Sequence, residues 1–148
     1  MADDYLLDTN VLLRFCDASS PAHREAVDAV TELLARGDSI YVTAQNIIEF
    51  WAVATRPADA NGFGWDVTQT SQEVARILNL FLFLDDSPAV FIYWLRLVTK
   101  HSVQGKQVHD ARMAAVMVAH GVSSLLTFNE KDFARYTGVR PVLPSDVP

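Results

Sequence analysis

At 148 residues and a formal net charge of −6, the chain has room for one sizeable core. It lacks the clustered cations that hold nucleic acid by bulk electrostatics. Half of its residues are hydrophobic and a fifth are charged, which argues against a disordered chain and for a single globular domain over residues 1–148.

The longest apolar run, Leu78 to Leu84, is interrupted by Asn79 and falls short of the ~18 residues a bilayer span requires. Acidic Asp3 and Asp4 stand where a signal peptide would be basic, so a cytoplasmic protein with no membrane partner is expected. The single cysteine, Cys16, excludes an intrachain disulfide and a cysteine metal cage, and reads as a packed small hydrophobe.

In chain order, Tyr5 to Leu7 reads as a buried strand and Val11 to Phe15 as the start of a helix. Asp8 therefore lies at the carboxyl end of the strand, the edge at which open α/β sheets bind ligands. Ser20 and Pro21 predict a capped helix start, with Ala26, Val30, Leu33 and Leu34 buried and Gly37 as terminator. A strand over Ser39 to Val42 follows, with Thr43 capping a helix from Ala44 to Ala54 that Pro57 stops.

The loop from Arg56 to Val67 carries Gly62 and Gly64 but no Gly-Lys-Ser/Thr, so it is not a phosphate cradle. Phe63 and Trp65 read as its anchors. Thr70-Ser71-Gln72-Glu73 has the form of a capping box opening a helix to Asn79. A strand over Leu80 to Leu84 and an Asp85-Asp86 turn come next. Ser87-Pro88 then starts a helix to His101 with Phe91, Trp94, Leu95 and Val98 as its stripe.

After a polar loop, Asp110 opens a helix that is apolar almost all round, hence buried, and Gly121 ends it. Leu125 to Thr127 and the neighbourhood of Val142 read as the last strands. Strands alternating with helices imply a three-layer α/β/α architecture with a mostly parallel central sheet.

Four places put an acid where it is costly. Asp8 ends the first strand, and Glu49 is the only charge in Asn46 to Trp51. Asp110 starts the most apolar helix, and Asp132 follows the strand at Thr127, with Asn129 between them. Each has a plainer role: Asp8 and Asp110 as caps, Glu49 on a solvated stripe with Gln45, Ala52 and Arg56, and Asp132 as a helix-start acid.

In a parallel sheet, strand ends and following helix starts share one edge, so Asp8, Asp110 and the Asn129–Asp132 segment can meet there. Carboxylates crowded together attract a divalent cation. Oxygen ligands without a Cys or His cluster point to Mg²⁺, or Mn²⁺ as a substitute. Such a site suits phosphodiester hydrolysis.

The sequence Leu6-Leu7-Asp8-Thr9-Asn10-Val11-Leu12-Leu13 resembles the opening of the PIN-domain ribonucleases. Ile47-Ile48-Glu49-Phe50, His109-Asp110-Ala111 with Ala114-Ala115, and Leu126-Thr127-Phe128-Asn129 with Asp132-Phe133 follow in that family's order. Size and spacing are most similar to the VapC-type toxins of bacterial toxin–antitoxin pairs.

The resemblance implies a Mg²⁺-dependent endoribonuclease that acts on RNA, forms a homodimer and is silenced by a cognate antitoxin. It implies Asp8 and Asp110 as metal ligands and Glu49 as the acid that orients or deprotonates water. The fourth family position lies in the Thr127-to-Asp132 stretch, where Asn129 stands at a place where many relatives have Asp; Asp132, three residues on, completes the site either directly or through water. Thr9, Asn10, Thr127 and Asn129 become supports for ligands or for the scissile phosphate.

Arg14, Arg56, Lys100, Lys106, His109 and Arg112 are candidate substrate cations, of which Lys106 and His109 are the best placed by sequence, close to Asp110. Two other readings stay open. One is a catalytically silent PIN-fold binding module, for which Asn129 speaks. The other is a phosphatase or phosphotransfer domain using Asp8, although Asp8-Thr9-Asn10 lacks the second acid of an Asp-x-Asp site.

Overall fold

The computed structural model describes residues 2–147. Five parallel strands, β1 (Asp4–Leu7), β2 (Ser39–Thr43), β3 (Leu82–Leu84), β4 (Ser124–Leu126) and β5 (Arg140–Val142), form one sheet in the order β3-β2-β1-β4-β5. From β1 the chain moves outward through β2 and β3, then returns to the other side of β1 as β4. The direction of winding therefore reverses between β1 and β4, where an open α/β sheet leaves a crevice beyond its strand ends. Asp8 directly follows β1, and Thr127 directly follows β4.

Alternation along β1 divides the core. Tyr5 and Leu7 face one side with Val42 and Leu126, packed by α1 (Thr9–Cys16), α2 (His23–Ala35), α3 (Ala44–Thr55) and α4 (Val67–Leu80). Leu6 and Leu125 face the other, against α5 (Pro88–Lys100) and α6 (Val108–His120). Three layers with a sheet parallel throughout are thus formed as expected. Residues Ala111 and Met113 to Met117 of α6 are buried, and Gly121 ends that helix in the left-handed conformation at φ 69°. Among the described residues no helix is long and apolar enough to cross a membrane.

Several local expectations shift. The second helix starts at His23, not at Pro21; the Ser20 hydroxyl instead accepts from the Ala22 N–H, 3.2 Å, in the preceding turn. Leu34 is exposed and Ala29 takes its place in the core. Asp66, directly after Trp65 and one before Val67, caps α4 through the Gln69 N–H at 2.7 Å. Thr70 consequently lies inside the helix and donates to the Asp66 carbonyl, and α4 runs on to Leu80, so β3 begins only at Leu82. On α5 the buried side carries Val90, Tyr93, Trp94, Leu97 and Val98, leaving Phe91 and Leu95 exposed. An almost wholly apolar stretch does not fix its own rotation.

The loop between α3 and α4 is anchored as expected. Phe63 and Trp65 pack edge-on against buried Phe50, with ring centroids 6.4 and 6.1 Å away. A Cβ at Gly62 would collide with the Arg56 backbone, so only glycine lets this loop fold back.

Asn46 is the polar rivet between sheet and α3. Fully buried, it accepts from the Thr43 N–H at 2.8 Å and donates to the Leu7 carbonyl at 3.1 Å and the Thr9 hydroxyl at 3.0 Å. Replacing Asn46 with Ala removes these three contacts at a site out of reach of water. Chemical denaturation of that variant is expected to show a loss of at least about 2 kcal/mol.

Candidate functional site

Asp8 is only 8% exposed. It caps α1, with one carboxylate oxygen accepting from the Thr9 N–H at 2.8 Å and the other from the Thr127 hydroxyl at 2.7 Å. The plain capping role and the place at the sheet edge therefore coincide. The Asp8 N–H donates to the Leu126 carbonyl at 2.9 Å, so the two central strands are joined at their ends by backbone and side chain together. Burial pushes the Asp8 carboxyl up to about 6; the Thr127 and Thr9 hydrogen bonds pull against that, while Asp110 and Glu49 push the same way.

Asp110, in the first turn of α6, is half-buried. Desolvation, then the charges of Asp132 and Glu49, push it up to about 6 against the cations His109 and Arg135. All four predicted acids therefore share one electrostatic neighbourhood. Glu49 is half-buried rather than solvated. It accepts from the Thr9 hydroxyl at 2.6 Å and from the Gln45 amide at 3.3 Å.

The loop after β4 is held from both sides. Thr127 accepts from the Asn129 N–H at 2.9 Å, and the Asn10 side chain accepts from the Phe128 N–H at 3.3 Å. Asn129 itself is exposed, and the acid felt by Asp110 is Asp132.

Among the described residues no three His, Cys, Asp or Glu side chains are grouped so as to hold a metal ion. The donor chemistry nonetheless suits Mg²⁺, which is held through one or two carboxylates and keeps several waters. Each Asp8 oxygen has a spare lone pair beyond its single hydrogen bond, and the two raised carboxyls mark a field that a cation relieves.

Among the predicted cations, Arg14 is committed to structure, donating to the Asn10 carbonyl and lying 5.1 Å over the Phe128 ring. Arg56, Lys100, Lys106 and His109 are exposed. Arg112 bridges Gln45 at 3.2 Å and Asp86 at 3.0 Å, so Asp86 anchors a guanidinium in addition to lying in the turn before α5. Cys16 is half-buried, and desolvation with Glu73 beside it pushes its thiol up, which suits inert packing.

Sequence reasoning missed Gln45 and Arg135. Gln45 is buried, and its amide also donates to the His109 carbonyl at 2.9 Å, so it ties α3 to the turn carrying Asp110. Its place four residues before Glu49, one helical turn, was the available signal. Arg135 follows Asp132 by three residues but reaches the site only through the fold.

The raised carboxyls fix a pH dependence. Unfolded, Asp8 titrates near 3.8; folded, near 6. Between those values the folded state holds more protons, so stability falls as pH rises through this window. In metal-free buffer, the melting temperature is expected to be higher at pH 5 than at pH 7.5. Asp8→Asn is expected to reduce the difference, with Asp110 keeping its own share, and to stabilise the protein at pH 7.5 by at most about 3 kcal/mol, read by thermal and chemical denaturation.

A family model for the PIN domain matches residues 5–139. No curated protein matches the chain significantly by sequence. In three dimensions it is similar to VapBC2 from Rickettsia felis, solved bound to a DNA fragment from the promoter: TM-score 0.70, 19% identity, 95% of this chain and 98% of that one. It is also similar to a toxin–antitoxin complex from Klebsiella pneumoniae, with TM-score 0.66, 24% identity and coverage of 95% and 97%. VapC20 of Mycobacterium tuberculosis, described as a sarcin–ricin loop cleaving toxin, gives TM-score 0.66 at 18% identity, covering 93% and 99%. At these identities the structural likeness speaks for the fold, and the family model spans most of the sequence: the chain belongs to the PIN domain family.

Proposed function

We propose that this protein is a Mg²⁺-dependent endoribonuclease and the toxin member of a toxin–antitoxin pair. The observation that carries the reading is the shared field at the reversal point of a PIN-domain sheet, where Asp110 and Glu49 act on Asp8, and Asp132 and Glu49 act on Asp110. The similarity to VapC20, described as a sarcin–ricin loop cleaving toxin, supports the reaction class. The similarity to toxin–antitoxin assemblies supports an antitoxin partner, and the net charge of −6 favours a basic one. A homodimer and a cytoplasmic location belong to the same reading.

Asp8 and Asp110 would hold the Mg²⁺, or Mn²⁺ in its place. When bound, such an ion lowers the pKa of a coordinated water and neutralises charge on the phosphate. The residues of this chain supply the rest. Glu49 accepts the proton of the attacking water, and Thr9 and Gln45 fix its two oxygens for that task. Thr127 orients Asp8, while Asn10 and the Asn129 N–H hold the Thr127–Phe128 backbone in place. Asp132 adds negative charge beside Asp110 and would strengthen cation binding there.

The test is incubation of total bacterial RNA with purified protein stripped of any bound partner, in Mg²⁺ and in EDTA. Discrete fragments are expected in Mg²⁺ only, and Asp8→Asn and Asp110→Asn should reduce cleavage to the EDTA background. Intact RNA with folded, cation-bound protein would favour the silent binding module instead. Gln45→Met keeps the side-chain length but removes all three amide contacts, to Glu49, the His109 carbonyl and Arg112. It is expected to slow cleavage roughly 10- to 100-fold, the usual effect of losing a group that orients a ligand at a metal site, with folding checked by circular dichroism.

A further inference from the structure

Between α5 and α6, beside the acidic cluster, lies a cavity of about 490 Å³ walled by Val90, Phe91 and Trp94, with Asp86, His109 and Arg112 around it. That volume lies within the range of small-molecule sites, and so does the pattern of apolar walls with a few polar groups. We propose that this cavity is the subsite for one unstacked nucleobase of the RNA, next to the scissile phosphate. The proposal rests on the ribonuclease reading and assigns the substrate contact which that reading leaves open.

Three observations carry it. The first is the aromatic wall. Phe91 and Trp94 stack at 5.9 Å with their planes 27° apart, and the Trp94 indole N–H is fastened to the Val108 carbonyl at 2.9 Å. Phe91 is 63% exposed, so much of its ring is open to solvent beside the cavity. Single-stranded RNA is recognised by splaying a base onto such rings.

The second is the polar edge. Arg112 is held between Gln45 and Asp86, placing a donor and an acceptor side by side. Because Asp86 offsets the charge of Arg112, the pair suits the mixed donor and acceptor edge of a base better than a phosphate. Carboxylates accept from base amino groups, and guanidinium groups donate to base carbonyls.

The third is adjacency. Val108 and His109 belong to the turn of α6 that carries Asp110, and Gln45 bonds at once to Arg112, to the His109 carbonyl and to Glu49. The cavity and the acids therefore share one rigid frame. A nucleotide whose phosphate meets the acids can send its base into the cavity.

The test uses a short RNA that the wild-type protein cleaves, with abasic ribose placed in turn at each position flanking the scissile bond. Wild type is expected to lose roughly ten- to hundredfold in kcat/KM at one position only, the scale of one lost base–aromatic stack. Phe91→Ala should lose a similar factor on intact RNA and nothing further on that abasic RNA, and Phe91→Tyr should restore most of it. Equal cleavage of all abasic RNAs by wild type would overturn the subsite. So would a Phe91→Ala defect of the same size on intact and abasic RNA accompanied by altered oligomeric state in light scattering, which would make this face a contact between copies.

A binding measurement separates the subsite from the reaction. In Asp8→Asn protein, the Trp94 indole NMR signal, assigned with Trp94→Phe, is expected to shift on adding the oligoribonucleotide. Cleavage by wild type with an unmoved Trp94 signal overturns the subsite alone. A shifted Trp94 signal with no cleavage overturns the ribonuclease reading alone, and neither shift nor cleavage overturns both.

Discussion

The hydrogen bond from Thr127 to Asp8 joins the ends of the two central strands at the point where the sheet reverses its winding. It sets a carboxylate into a nearly closed apolar environment, where ionisation is costly without compensation. Two donors, the Thr9 N–H and the Thr127 hydroxyl, lower that cost without removing it, and the carboxyl remains raised to about 6. A fold that holds an acid in this state keeps a negative charge ready for a cation at the expense of its own stability, the usual relation between stability and function at such sites.

Around Asp8 the polar groups form one connected frame. Asn46 fixes Thr9, Thr9 and Gln45 fix Glu49, Gln45 reaches the turn of Asp110, and Arg112 extends the frame to Asp86. Apart from the Gln45–Glu49 bond within α3, each link crosses between elements far apart in sequence, so the acids are positioned by tertiary packing and not by a single loop. Placing side chains on helices and strand ends fixes their geometry more tightly than loops allow. The same frame makes one wall of the aromatic cavity, so substrate contact and acid placement are mechanically tied.

The features legible in the sequence are those with a local cause. The apolar run before Asp8, the Thr43 cap and Gly121 each act within a turn or two, and each appears where its chemistry predicts. The acids were legible as a set because a charge beside buried apolar residues needs a reason. Where local signals compete, the stronger context wins: the apparent capping box at Thr70 yields to Asp66, whose carboxylate captures the Gln69 N–H first. The rotation of α5 was hidden because nearly every side is apolar, and only packing against α6 decides that Val90 goes in and Phe91 stays out. Gln45 was hidden for another reason. A glutamine on a helix reads as surface until the fold brings the His109 carbonyl and Arg112, 64 and 67 residues away, against it.

The central claim is that the field of Asp8 and Asp110 is a divalent-cation site, and thermal unfolding as a function of Mg²⁺ or Mn²⁺ concentration tests it most directly. Binding to the folded state alone raises stability by mass action, by about 2.7 kcal/mol at a hundredfold excess over the dissociation constant. The account predicts a melting temperature that climbs with cation in the wild type and stays flat in Asp8→Asn and Asp110→Asn. A flat wild-type profile, or the same climb in both variants, would contradict it.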